Sequence, residues 1–269
     1  KNPLTLQLER WRDHIRDFLN READPPSSGI FKALVLGEQG DIPEEIKEYF
    51  ILTGTAHLLA ISGDQFGIVA LLSFSLLLWL LQRSEFLLLS VSVRKWAAGL
   101  TIPCIVLYAF IAGGGISVIR AAIMVITFLF SILLNRERNL LHTLALAAFL
   151  ILIFSPPSLF DVSFQLSFLA VLSILYLVSR ILQEFQQEEI SLLLKTSWKK
   201  NILKYMRLSL LVTGVAILGT APFVALHFNR FAPIGFITNL LIIPWVGFLM
   251  VPLSLTASIF SFFFIPFAT

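Results

Sequence analysis

From about residue 55 onward the chain is a succession of long apolar runs separated by short polar connections. A helix needs about 20 mostly apolar residues to cross a bilayer. Runs near that length fall at about 55–81, 96–112, 116–134, 139–155, 162–180, 208–226 and 236–258. A short apolar tail, SIFSFFFIPF, closes the chain. Pro244 and Pro252 interrupt the last run, which reads equally as one kinked helix or as two short pieces. The pattern predicts an all-α fold: a polytopic transmembrane helix bundle, with amphipathic helices ahead of it. The breaks at Gly63 and Pro244 are too unlike to be the matched broken helices of an inverted-repeat transporter.

Residues 1–53 have a different rhythm. Leu4, Leu6, Leu8, Trp11, Ile15, Phe18 and Leu19 mark one helical face, with Arg10, Arg12, Asp13, Arg16 and Asp17 on the other. Such a helix is too charged to span a bilayer. Asp24-Pro25-Pro26-Ser27-Ser28-Gly29 breaks it, a short helix follows over about 30–36 and ends at Gly37, and Asp41 and Pro43 open a third up to about Thr53. These helices are expected on the membrane surface or packed on the bundle, with an ordinary soluble subdomain as the alternative. Two domains result: 1–53, amphipathic and extracytoplasmic or interfacial, and 54–269, transmembrane.

Composition agrees with the pattern. The chain is 57% hydrophobic and 14% charged, with 25 Phe. An average soluble domain is about 25% charged. The single cysteine, Cys104, allows no internal disulfide. The sequence starts at Lys1 with no signal-peptide pattern, and it is expected to be a piece of a larger membrane protein.

Charge sets an expected orientation. Lys and Arg in the successive connections number 3, 0, 2, 0, 6 and 1, so the first, third and fifth connections are expected in the cytoplasm. The first carries Arg83, Arg94 and Lys95; the second, around Gly113-Gly114-Gly115, carries none. The amino-terminal segment then lies outside, and its seven basic against ten acidic residues suit that side. Leu182 to Arg207 reads as an amphipathic cytoplasmic helix, in which Trp198 either anchors at the interface or packs on the bundle.

Several polar groups nevertheless lie inside the apolar runs. His57, Ser62, Asp64 and Gln65 sit in the first, Arg120 in the third, Asp161 and Gln165 at the start of the fifth, and Asn239 in the last. The first, third and fifth runs point from outside to inside, so their costly groups fall in the outer half. At a rise of about 1.5 Å per residue, Asp64 is expected about 10 Å deeper than His57 and on the same helical face. Intramembrane charges find partners and face the bundle interior or a water-filled cavity. Asp64 or Asp161 is therefore expected to pair with Arg120 in a polar vestibule open to the outside. The same residues suit a structural role: Ala60, Ser62, Gly63 and Gly67 let helices pack closely, and an Arg–Asp pair can lock a bundle.

Enzyme signatures are sparse. No P-loop, HExxH or GxSxG occurs, and His14, His57, His142 and His227 are scattered. No catalytic residue, cofactor or metal site is expected. Ser62-Gly63-Asp64 leaves an intramembrane enzyme as one alternative, and a small-molecule transporter using the same cavity as another.

Four segments carry a family resemblance. HLLAISG (57–63) resembles the opening signature of the ComEC family of competence proteins. SVIRAAIM (117–124), FDVSFQLSF (160–168) and NLLIIP (239–244), the last preceded by FAPIG, resemble three more of its motifs in the same order. The resemblance implies a multi-pass channel in the bacterial inner membrane, passing single-stranded DNA into the cytoplasm during natural transformation. Its implied partners are that DNA, the lipid bilayer, other DNA-uptake machinery and the further domains of full-length members. Those domains are an oligonucleotide-binding-type domain and a metallo-β-lactamase-like domain, whose histidine-rich metal motif does not occur in this chain. Two departures stand out. The family has Leu-His where this chain has Asp64-Gln65, and Gly where it has Ser163. The first removes any role carried by that histidine and adds a carboxylate that repels a phosphate backbone unless paired.

Overall fold

The computed structural model describes residues 3–136, 139–178, 198–228 and 234–264. Among the described residues there are twelve α-helices and no strand, so the chain is all-α as its periodicity implies. They are α1 (Pro3–Glu22), α2 (Pro25–Leu36), α3 (Glu44–Leu52), α4 (Gly63–Leu81), α5 (Glu85–Ser90), α6 (Val93–Ile111) and α7 (Ile116–Leu133). After these come α8 (Leu140–Phe154), α9 (Val162–Ser173), α10 (Trp198–Phe228), α11 (Gly235–Trp245) and α12 (Val251–Phe264). Single turns of 3₁₀ helix occupy Ala56–Leu58 and Pro156–Phe160, and π turns occupy Ile174–Val178 and Val246–Met250.

The apolar runs predict seven spans; among the described residues four helices are long and apolar enough to cross a membrane: α4, α6, α7 and the 210–227 stretch of α10. Helices over 140–154, 162–177 and 251–262 are apolar but shorter. Local chemistry sets where these helices break. Pro156 and Pro157 suit the first turn of a helix and turn the chain into 3₁₀ structure between α8 and α9. Pro244 removes a backbone donor, and a π turn follows before α12 begins at Val251. The expected cytoplasmic helix over 182–207 lies outside the described residues as far as position 197. From Trp198 onward it runs straight into α10 rather than forming an element of its own. At the other end of the chain, α2 starts at Pro25 rather than near residue 30, because Pro is pre-organised for a first helical turn. It ends at Gly37, whose φ of 74° is left-handed.

Compactness divides the chain into two units, residues 1–139 with 244–269, and residues 140–243. In the first, α4, α6 and α7 pack on one another through Phe66, Ala70, Ala98, Ile105, Tyr108, Ala121, Ala122 and Leu129. Alanines at these contacts let the helices approach closely, which drives association where lipid removes the hydrophobic incentive. The Phe66 and Tyr108 rings meet at 4.8 Å between centroids, so the start of α4 lies beside the end of α6. The amino-terminal helices pack on this bundle. Ile15 and Leu19 of α1 and Val35 and Leu36 of α2 form a cluster with Ile111, Leu255 and Phe262. In the second unit α9 packs against α10, where Gly219 faces Ser173.

Candidate functional site

The stretch from His57 to Gln65 differs most from expectation. It is not the outer part of a long helix. Ala56–Leu58 makes one 3₁₀ turn, the chain extends at Ser62 (φ −119°, ψ 171°), and α4 begins at Gly63. Gln65 reaches back, its Oε1 accepting from the Ser62 backbone N–H at 3.1 Å, one half of a capping box. The Ser62 hydroxyl donates to the Asp64 carboxylate. His57 and Asp64 therefore share no helical face. Asp64 is exposed in the first turn of α4, where the helix dipole favours negative charge. At a helix start the carboxylate meets the positive end of the dipole, as it would not in the middle of an apolar run.

His57 is exposed, yet the protein around it lowers its pKa from the ordinary histidine value, while the Asp64 charge and a hydrogen bond with the Gly54 backbone act upward.

Gln65 is 1% exposed, and its Nε2 has no hydrogen-bond partner among the described residues. Arg120 lies one turn into α7 and is 7% exposed. Because the start of α4 lies beside the end of α6, and α7 follows α6 after one short connection, the α4 cap and Arg120 collect at one end of the three-helix bundle. Among the described residues no ion pair joins Asp64 to Arg120, and the Asp64 carboxylate accepts from the Ser62 hydroxyl.

The other three residues belong to the second unit. Asp161 caps α9, accepting from the Ser163 N–H at 2.7 Å. Gln165 Nε2 donates to the Leu159 carbonyl at 2.9 Å, closing the turn before α9. Asn239 is buried on α11, and its Oδ1 has no partner among the described residues.

The amino-terminal helices hold polar groups that periodicity alone could not single out. Glu38 receives Arg16 through two bonds, Nη2 at 2.8 Å and Nε at 3.0 Å, and Arg12 Nη2 at 2.8 Å. Hydrogen bonds from Arg16 above all, then from Arg12, hold its carboxyl below the usual range against the opposing effect of burial. Arg12 also lies against Gly113, where a Cβ would sit 2.9 Å from Nη1. Lys32 is buried and donates to Asn20 Oδ1 at 2.7 Å and Asp41 Oδ2 at 2.5 Å. These two residues, with Ser28, line an open cavity of about 430 Å³. Among the described residues no group of three or more His, Cys, Asp or Glu side chains is arranged to hold a metal.

The four motifs sit mainly where helices begin: 57–63 leads into α4, 117–124 opens α7, 160–168 caps and opens α9, and 239–244 lies in α11. A family model described as Competence protein matches residues 34–269. The chain belongs to the competence protein family. It is 32% identical over 261 residues to ComE operon protein 3 of Bacillus subtilis (strain 168), covering 94% of this chain and 30% of that protein. It is 25% identical over 257 residues to competence protein ComA of Neisseria gonorrhoeae, covering 94% of this chain and 34% of that protein. It is also 29% identical over 236 residues to the uncharacterized protein YcaI of Escherichia coli (strain K12), covering 87% and 29%. The chain thus spans about a third of the length of these relatives. No solved structure matches it. Family and helices together make this a membrane protein.

Proposed function

We propose that this chain forms part of the path by which single-stranded DNA crosses the bacterial inner membrane into the cytoplasm, as a multi-pass channel rather than an enzyme. The observation that carries the proposal is the family match across residues 34–269. Arg120 supports it: a guanidinium buried in a helix as apolar as α7 is costly, and such residues mark transport paths in membrane proteins. Single-stranded nucleic acid needs positive charge along its backbone, and Arg120 can supply it.

The orientation has support of its own. Charge places the amino-terminal segment and the Gly113–Gly115 connection on the same outer side, and the fold puts them in contact, Arg12 at Gly113 and Gly37 at the Ala112 carbonyl. The partners proposed are the incoming strand, the bilayer, and the rest of a longer chain together with other uptake proteins.

The test is transformation of a competent host in which a full-length chain containing this segment carries Arg120→Ala or Arg120→Lys at normal membrane levels. Arg120→Ala is expected to lower DNA entry by about tenfold or more, equivalent to ~1.4 kcal/mol. Arg120→Lys keeps the charge and should retain most uptake. Unchanged entry with Arg120→Ala would remove Arg120 from the path.

A further inference from the structure

We infer that residues 79–96, from the end of α4 to the start of α6, form a membrane-interface anchor that binds anionic phospholipid headgroups. This connection joins two helices of membrane-crossing length, so it lies where the apolar surface of both ends. Its short helix α5 buries no residue. Phe86 is 76% and Leu89 90% exposed among the described residues. The flank of α4 that leads into this connection, Leu72, Leu76 and Leu80, is exposed as well, the surface a bilayer would cover. Trp79 and Trp96 are exposed on either side of it. Indoles settle at the boundary between hydrocarbon and water, so two of them flanking an uncovered apolar turn mark that level.

The charges choose the lipid. The Arg83 guanidinium stacks over the Trp79 indole, 4.4 Å from the ring centroid, which leaves its N–H groups at the ring edge to meet phosphate. Neither Arg83 nor Lys95 has a carboxylate partner among the described residues, and Glu85 is the single acidic residue between them. Basic side chains at this depth attract anionic leaflets, and the short apolar turn supplies the second element that interfacial binding needs.

The test uses the full chain with Cys104→Ser, which keeps the bond to the Leu100 carbonyl. A nitroxide is placed at Leu89→Cys, and a second at Gly40→Cys as a water-exposed reference. In nanodiscs of phosphatidylcholine with phosphatidylglycerol, position 89 should collide readily with oxygen and poorly with an aqueous nickel chelate, the reverse of position 40. Aqueous accessibility at 89, or shielding from both probes as under a protein partner, would overturn the anchor. In the otherwise unmodified chain, preference for spin-labelled phosphatidylglycerol over phosphatidylcholine should fall in the Arg83→Gln, Lys95→Gln double variant. The expected loss is about fivefold for each charge removed. An unchanged preference would overturn the headgroup assignment.

Discussion

Gly37 is one place where the amino-terminal helices closely approach the bundle, so an added methyl there tests whether that docking is native. Two effects separate Gly37→Ala from an ordinary glycine replacement. Its φ of 74° lies in the left-handed region, where an L side chain costs ~1–2 kcal/mol. A Cβ would also sit 2.8 Å from the Ala112 carbonyl oxygen and 3.3 Å from Ile61 Cδ1. A backbone oxygen cannot swing aside like a side-chain tip, so α2 must lift off the end of α6, an overpacking cost of ~1–3 kcal/mol. Loss of unfolded-state freedom offsets ~0.4–1 kcal/mol of this. Gly114 is the control, with φ of 61° and nothing within 4 Å of the place a Cβ would occupy. Gly114→Ala carries the left-handed cost and the entropic offset but no collision. Denaturant unfolding of the full chain in mild detergent, followed by helicity, should show Gly37→Ala less stable than Gly114→Ala by ~1–3 kcal/mol. Gly40→Ala, with neither cost, should be more stable than the parent by ~0.4–1 kcal/mol. If Gly37→Ala and Gly114→Ala agree within ~0.5 kcal/mol, the close approach to Ala112 is not part of the native protein.

Glu38→Gln should cost ~1–2 kcal/mol at neutral pH, because it weakens charge-assisted bonds that are only partly buried. The folded state lowers the Glu38 pKa, so this contribution is complete above the unfolded value of about 4.3 and is lost as pH falls through the folded value. Parent and variant should therefore converge in strong acid, measured by unfolding from pH 7 to pH 3; a constant gap would refute the pairing. Asp64→Asn should cost less than ~1 kcal/mol, the scale of a helix-dipole interaction. A double-mutant cycle with Arg120→Ala should give a coupling below ~0.5 kcal/mol, whereas a buried pair would cost ~3–5 kcal/mol on losing one partner. In the second unit a Cβ on Gly219 would lie 2.7 Å from Ser173 Cβ, so Gly219→Ala should destabilise by ~1–3 kcal/mol. Adding Ser173→Gly should restore most of it, and failure to do so would place the strain elsewhere than at the α9–α10 contact.

The all-α class, the three longest spans of the first unit and the C-terminal limit of α4 at Leu81 are legible in the sequence because they depend on runs of apolar residues. The breaks at Pro156 and Pro244 are legible too, but not their form, a 3₁₀ turn at Pro156–Phe160 and a π turn after Pro244. Apolar runs misplace the start of α4 for a local reason. Ser62-Gly63-Asp64-Gln65 is a helix-start pattern, with a hydroxyl residue followed three positions later by Gln ahead of an apolar run. Read that way, the sequence alone ends the previous element near Ile61 and sets Asp64 in a first turn. The Glu38 pairs are beyond pattern reading: Arg12 and Arg16 lie 26 and 22 residues away, and only tertiary packing joins them.

The two ends of the α4–α6–α7 bundle differ chemically, which bears on how such a protein would be set in a membrane. One end gathers the capped start of α4, Arg120 and the connection at Gly113. Over it lie α1 and α2, from a segment of seven basic and ten acidic residues. The other end, between Leu81 and Val93, carries exposed aromatic and aliphatic side chains beside Arg83 and Lys95. Within α1 and α2 five basic side chains stand against four acidic ones, so the acidic excess of that segment lies beyond them, at Glu38, Asp41, Glu44, Glu45 and Glu48. Arg12 and Arg16 neutralise the first of these, Glu38, and Arg12 lies against Gly113. The ion-pair cluster that docks the amino-terminal helices therefore also sets the local charge around the end where Arg120 is buried.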